Sequence, residues 1–236
     1  MRLPSLLLAL LLSGSATIAQ MLPSAAQGQA SRATLPADAI RCVEEADCLW
    51  HLKGRVERSG DVLRLKLEDG KTKELASNKK ACEEHDTSQC LVQRLAAYLP
   101  TQQFYIVDVE IYESSRTAVV NARTGEEAIL HTAPHFSPDG RWFVAADESA
   151  DHDVAIWVTI PHPNLSFGPY QVFLHDGLGI ESPARGWEFL AWEGNNRVRL
   201  KVFVFVDGET KQVETDAVLT DWGWKLNFPE IKQKTP

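Results

Sequence analysis

Four histidines gathered in one stretch of the chain raise the question of metal binding. His131 and His135 are four residues apart, and His152 and His162 follow within the next few strands. A spacing of four places two imidazoles on the same side of a helix, but Pro134 interrupts this segment and its flanks alternate like strands. We therefore expect no metal ion at these histidines.

An acidic run beside them could instead gather oxygen ligands around Ca²⁺. It comprises Asp147, Glu148, Asp151 and Asp153. The run lacks the Asp-x-Asp-x-Asp-Gly order of an EF-hand loop, so we expect a solvated loop between two strands and no cofactor. Asp147, Asp151 and Asp153 remain the candidate calcium ligands.

No catalytic residue is predicted. The sequence contains no Gly-x-Ser-x-Gly elbow for a nucleophilic serine. Among its 32 acidic residues, no pair can be assigned to acid–base chemistry, because the decisive separation is spatial. We interpret the chain as a non-catalytic binding protein. The alternative is a hydrolase or metal-dependent enzyme with its site at the mouth of the fold.

The four cysteines favour two disulfide bonds. They all lie in the first half of the chain, at Cys42, Cys48, Cys82 and Cys90. An even count in an exported protein indicates disulfides, and the short separations favour Cys42 with Cys48 and Cys82 with Cys90 among three possible pairings. A zinc site would need cysteines two to four residues apart, which these are not.

Two of the seven tryptophans are candidate binding residues. Trp142, Trp157 and Trp187 each lie inside an apolar strand, where we expect them to fill the core. Trp222 and Trp224 are two residues apart beside an aspartate and should share a surface face. There they could stack on a sugar ring or hold a peptide.

The N-terminal residues resemble a secretory signal. Arg2 precedes an apolar run over residues 6–12 and small residues that end at Ala19, which predicts a signal peptide over residues 1–19. The run is far shorter than the roughly 20 residues of a membrane span, so we expect no membrane insertion after cleavage. Residues 20–36 read as a flexible leader and residues 37–236 as a single β-rich domain, periplasmic or secreted.

The negative net charge argues against polyanionic binding partners. The chain carries a formal charge of -8, and its longest basic cluster is Lys79-Lys80. Nucleic acids and anionic lipids are bound by clustered Lys and Arg, so we expect neither. An envelope protein or envelope polymer is the expected partner.

Alternation of apolar and polar residues dominates the chain and predicts an all-β meander. Residues 62–75 alternate around Asp69-Gly70 and predict a hairpin. Residues 88–99 are the exception: Leu91, Leu95 and Leu99 recur every four residues before a proline, which predicts a helix with Cys90 in its first turn.

The stretch FSPDGRWFVAAD, residues 136–147, resembles the TolB-type β-propeller repeat, whose blades begin with Ser-Pro-Asp-Gly. The resemblance covers residues 103–160. It implies a small or incomplete propeller-like fold, with room for four or five blades between residues 50 and 228; a twisted β-sandwich is the alternative. The chain is also similar to exported bacterial proteins that combine a cysteine-rich start with one such motif. The resemblance implies no activity.

Overall fold

The computed structural model describes residues 33–112, 114–146, 155–158, 171–173 and 184–227. These residues form sixteen strands and two short helices. In chain order the elements are β1 (Ile40–Arg41), α1 (Glu45–His51), β2 (Val56–Ser59), β3 (Val62–Lys66), β4 (Thr72–Ala76), α2 (Lys79–Glu83), β5 (Leu91–Leu99), β6 (Phe104–Ile111), β7 (Ser114–Asn121), β8 (Glu127–Leu130), β9 (His135–Phe136), β10 (Trp142–Ala145), β11 (Ala155–Val158), β12 (Gln171–Phe173), β13 (Ala184–Trp192), β14 (Arg197–Val206), β15 (Glu209–Thr220) and β16 (Gly223–Asn227).

The strands pair into four antiparallel sheets that follow one another along the chain. The first sheet is β2-β3-β4, the second β1-β5-β6-β7-β8, the third β12-β11-β10-β9 and the fourth β13-β14-β15-β16. Most neighbours in each sheet are also neighbours in the sequence. The predicted all-β meander is confirmed.

Three apolar cores join the four sheets face to face. Alternation along β6 sends Tyr105 and Val107 to the core shared with the first sheet, whereas Phe104 and Ile106 enter the core shared with the third. Strand β10 of the third sheet is likewise buried on both faces, since its Phe143 lies in the second core and its Val144 packs with the fourth sheet. A strand buried on both faces needs a continuous apolar run, which explains Phe-Tyr-Ile-Val at the start of β6.

The predicted helix over residues 88–99 is wrong, because most of this segment is strand β5. Four is an even number, so leucines at that spacing also share one face of a strand. A bulge between Leu95 and Ala97 then shifts the alternation. As a result Leu95 enters the first core and Leu99 the second.

Both favoured disulfides are present. Cys42 bonds to Cys48 with their Cα atoms 5.2 Å apart, and Cys82 bonds to Cys90 at 4.4 Å. Cys48 is fully buried in α1. Cys90 does not begin a helix as expected; it immediately precedes β5, so its bond to Cys82 ties α2 to the start of that strand.

A partly buried carboxylate anchors α1. Glu45 accepts two hydrogen bonds from Arg58 of β2, at 3.1 and 2.5 Å, and a third from the backbone N–H of Leu95 at 2.8 Å. The same guanidinium donates to the carbonyl of Gln93 at 2.6 Å. One side chain thereby joins α1, the first sheet and the bulged strand of the second.

The Ser-Pro-Asp-Gly segment forms a tight turn between β9 and β10. The Ser137 hydroxyl donates to Asp139 at 2.7 Å and accepts from the backbone N–H of Trp142 at 3.1 Å. Gly140 has a φ of +66°, and a Cβ there would lie 2.0 Å from Nε2 of the buried Gln102. Glycine is required at this position by both backbone conformation and space.

The predicted leader ends earlier than expected. Ala33 and Leu35 are buried in the second core, and the carbonyl of Thr34 accepts a 2.7 Å hydrogen bond from the N–H of Phe136. Residues 33–36 therefore pack onto the third sheet. The remainder of that leader and the predicted signal peptide lie outside the described residues.

Candidate functional site

A cleft of about 370 Å³ lies on the outer side of the first sheet. Its lining combines four cationic side chains with one carboxylate, a hydroxyl and two small or apolar residues: Lys53, Gly54, Arg55, Val56, Glu57, Arg64, Lys66 and Thr72. We call it the cationic cleft. Its sign is opposite to the net charge of -8 that the whole chain carries.

Strand alternation places these cations outside. In β3, Leu63 and Leu65 are fully buried in the first core, so Arg64 and Lys66 point away from it. Lys66 lies opposite Thr72 of β4, and its backbone N–H donates to the carbonyl of Arg55 at 2.8 Å. The register therefore places Lys66 between Thr72 on one side and Arg55 on the other.

Arg55 is held in place by its neighbours. Its guanidinium bonds to Glu68 at 2.7 Å and lies 4.9 Å from the centre of the Tyr98 ring. The hydrogen bond to Glu68 raises the arginine pKa above its ordinary value. Burial raises the pKa of the adjacent Tyr105 to about 12, and its hydroxyl donates to the carbonyl of Lys66 at 2.7 Å.

The two lysines of the cationic cleft differ from its arginines in their ion pairs. Arg64 bonds to Glu74 at 2.8 Å and lies 3.9 Å from Glu57. Lys53 and Lys66 are exposed, and neither forms an ion pair with any residue in the described ranges. Two ammonium groups of the cleft thus face solvent with no carboxylate of the described residues within ion-pair distance.

An exposed tryptophan precedes the cationic cleft in the chain. Trp50 is near the end of α1, three residues before Lys53, and 75% of its surface is accessible. Its ring meets His51 edge to face with the centroids 4.9 Å apart. Leu52 between Trp50 and the cleft is buried and fixes the end of the helix to the first core.

The predicted tryptophan pair is split. Trp222 occupies the turn between β15 and β16 and is 99% exposed, whereas Trp224 is 8% exposed and packs edge to face against Trp142 and Trp192. Residues two apart share a face only within one strand. Trp222 lies in the turn and Trp224 in β16, so the two rings are in different environments. Trp187, 5% exposed, lies in the same core, as expected.

His135 is the predicted histidine with the most defined surroundings. It stacks on Phe189 with ring centroids 4.0 Å apart, and its carbonyl accepts a 2.9 Å bond from the indole of Trp192. Its Nδ1 lies 3.1 Å from the Thr34 hydroxyl. Burial lowers the pKa of His135 from 6.5 to about 4. The residue therefore joins the third and fourth sheets as a neutral ring.

The other candidate metal ligands cannot be placed with it. Asp147, Asp151, Asp153, His152 and His162 lie outside the described residues. Within the part of the chain that the structure describes, no three His, Cys, Asp or Glu side chains are grouped so that they could hold a metal ion. Neither helix found there has the length and apolar character needed to cross a bilayer.

Sequence reasoning missed the cationic cleft. Lys53, Arg55, Arg64 and Lys66 are dispersed in the sequence, whereas the longest run of basic residues, Lys79-Lys80, pairs with Asp61 and Glu84 instead. Alternation in β3 indicates that Arg64 and Lys66 share a face. It carries no information on which residues lie beside them across the sheet.

Comparison with known proteins identifies no relative. No protein-family model matches the chain, and neither a curated protein nor a solved structure is significantly similar to it.

Proposed function

We propose that the protein is exported to the bacterial cell envelope and binds an anionic partner there, without transforming it, through the cationic cleft. The observation that carries the proposal is the unpaired charge of Lys53 and Lys66 in a cleft lined by two further cations. An anionic group bound there would replace the missing carboxylates.

The chemistry of the lining supports binding over catalysis. Guanidinium groups hold anions but do not exchange protons near neutral pH. The one carboxylate in the lining, Glu57, lies 3.9 Å from Arg64 and so already faces a cation. The cleft thus supplies positive charge and hydrogen-bond donors.

Export is supported by the signal-like N-terminus and by the two disulfides, which persist in oxidising compartments. The face-to-face succession of antiparallel sheets supports a propeller-like relationship to the TolB-type repeat. Unlike blades inside a closed ring, the first and fourth sheets each carry charged side chains on one face.

The test compares capture of envelope components by two immobilised proteins. One is the native protein purified after export; the other carries Lys53→Glu and Lys66→Glu. We expect the native protein to retain an anionic component of unchanged mass, and the variant to lose at least about nine-tenths of it, since reversing two charges adds repulsion to the lost attraction.

A third protein with Lys201→Glu, a charge reversal on the fourth sheet, serves as the control and should retain the component. Equal capture by the native protein and the cleft variant would exclude the cationic cleft as the binding site. A changed mass of the captured component would contradict the non-catalytic assignment.

A further inference from the structure

We infer that the anionic partner is a saccharide, bound with its acidic groups in the cationic cleft and one sugar ring on the indole of Trp50. This inference rests on the proposed function and names the class of ligand for that site. It joins two observations: an unpaired pair of ammonium groups and a large apolar ring left 75% exposed a few residues away.

The distance between the two features suits an oligosaccharide. Lys53 lies three positions after Trp50, so their Cα atoms lie no more than about 11 Å apart. Two or three linked sugar rings span such a distance. A single chain of sugars is therefore long enough to reach from Trp50 to the cleft.

The chemistry of each feature matches part of an acidic sugar. The C–H face of a sugar ring is apolar and packs on the flat face of an indole. Carboxylates or phosphates on the sugars would meet Lys53 and Lys66, and sugar hydroxyls would meet Thr72 and Arg64. Donors of this kind recognise charge and hydroxyl groups together.

The placement of the cationic cleft favours a saccharide over an acidic peptide. Peptides that bind in extended form add to the open edge of a sheet, where backbone groups are unpaired. The cleft includes the edge strand β2 and the turn before it, but its Arg64, Lys66 and Thr72 lie on the face of the first sheet, where the backbone of β3 is paired with β2 and β4. Recognition there falls to side chains.

The experiment measures binding of defined probes by titration calorimetry, with the native exported protein. The probes are tetragalacturonate, a phosphorylated maltotetraose, neutral maltotetraose and a tetraglutamate peptide. We expect one or both acidic saccharides to bind, with affinity falling as salt rises. The two acidic saccharides distinguish a carboxylated from a phosphorylated source. Neutral maltotetraose and the peptide should bind at least about tenfold more weakly.

Matched variants assign the contacts. Trp50→Ala should weaken binding of the acidic saccharide roughly tenfold, whereas Trp222→Ala, which removes another exposed indole, should leave it unchanged. The double variant Lys53→Gln and Lys66→Gln should abolish measurable binding, whereas Lys201→Gln should retain it. Circular dichroism confirms that each variant is folded.

Two results would overturn the inference. The first contradicts only the saccharide assignment, and the second also contradicts the proposed anion-binding function. If the peptide binds as tightly as the saccharides and Trp50→Ala has no effect, the saccharide assignment fails while the proposed anionic-binding function stands. If no acidic probe binds and capture from the envelope is also independent of the cleft lysines, both fail.

Discussion

The first and fourth sheets contain the same tripeptide in an inner strand, but among the described residues its lysine has a carboxylate partner only in the fourth sheet. Arg64-Leu65-Lys66 lies in β3 and Arg199-Leu200-Lys201 in β14, and both leucines are fully buried. Lys201 bonds to Glu188 at 2.5 Å and lies opposite Glu214. Lys66 lies opposite Thr72.

The difference shows that strand register, and not the strand's own sequence, decides whether a surface charge is neutralised. On the fourth sheet, Arg197 and Arg199 also have carboxylate partners, Asp216 and Glu214 among them. On that face Arg197, Arg199 and Lys201 each have a carboxylate partner. The first sheet neutralises Arg64 through Glu74, whereas Lys66 has no ion-pair partner among the described residues.

Reducing the disulfides should have the largest effect on stability, and it should act on the first sheet more than on the fourth. Both disulfides lie at the end of the molecule that holds the first sheet. Each closes a short loop and restricts the unfolded chain, which contributes about 2.5 kcal/mol by loop entropy and about 5 kcal/mol for both. We expect dithiothreitol to lower the free energy of unfolding in urea by this amount.

Amide hydrogen exchange then locates the loss. With dithiothreitol, exchange should accelerate most in β2–β4 and least in β13–β16, which lie far from the cysteines in the sequence. Uniform acceleration across all four sheets would show that the two ends unfold as a single unit.

The next largest difference should come from removing one carboxylate at each end of the molecule and comparing the losses of stability. Glu45→Ala removes the carboxylate that accepts from Arg58 and from the Leu95 N–H, both partly buried, and should cost about 3 to 4 kcal/mol. Glu214→Ala removes an exposed partner of Arg199 and should cost less than about 1 kcal/mol.

Chemical denaturation of both variants measures these costs. Glu45→Gln, which keeps an oxygen acceptor but loses the charge, should lie between the native protein and Glu45→Ala. Equal costs for the two alanine variants would show that Glu45 acts as an ordinary surface charge.

Acid should act at the opposite end of the molecule. The pKa of His135 is about 4 in the folded protein, below its ordinary 6.5, so the unfolded chain takes up this proton more readily. The stability that the neutral ring contributes is complete above pH 6.5 and is lost as the pH falls towards 4, by about 3 kcal/mol in all.

Thermal unfolding between pH 7.5 and 4 measures this effect. His135→Phe keeps an aromatic ring against Phe189 and should flatten the profile between pH 6.5 and 4. Hydrogen exchange at pH 5 should show the fourth sheet opening before the first. A profile equally steep in His135→Phe would assign the acid sensitivity to other groups.

The sequence predicted what depends on neighbours in the chain. Alternation predicted the β3–β4 hairpin, and short separations predicted both disulfides. Leucines four residues apart suit a helix or a strand, so the same local reasoning failed over residues 88–99. The local pattern also did not indicate the bulge after Leu95, which lets β5 contribute side chains to a core on each of its faces.

The candidate site depends on which residues lie opposite one another on adjacent strands. This explains why it could not be predicted from the sequence. Lys66 is uncompensated because Thr72 lies opposite it, and Trp222 and Trp224 are separated because a turn falls between them. Both facts require the register of paired strands. A single sequence carries that register only where turn length and burial fix it.

The order of the four sheets in the stack is also their order in the chain, which bears on synthesis. A chain made from its N-terminus can complete the hairpins of the first sheet early, but their apolar face stays uncovered until β5–β7 emerge. Two N-terminal segments depart from this order: β1 pairs with β5 of the second sheet, and residues 33–36 close onto the third. These N-terminal residues therefore wait for later strands before they are covered, and the emerging first hairpins are where a chaperone would have most to cover.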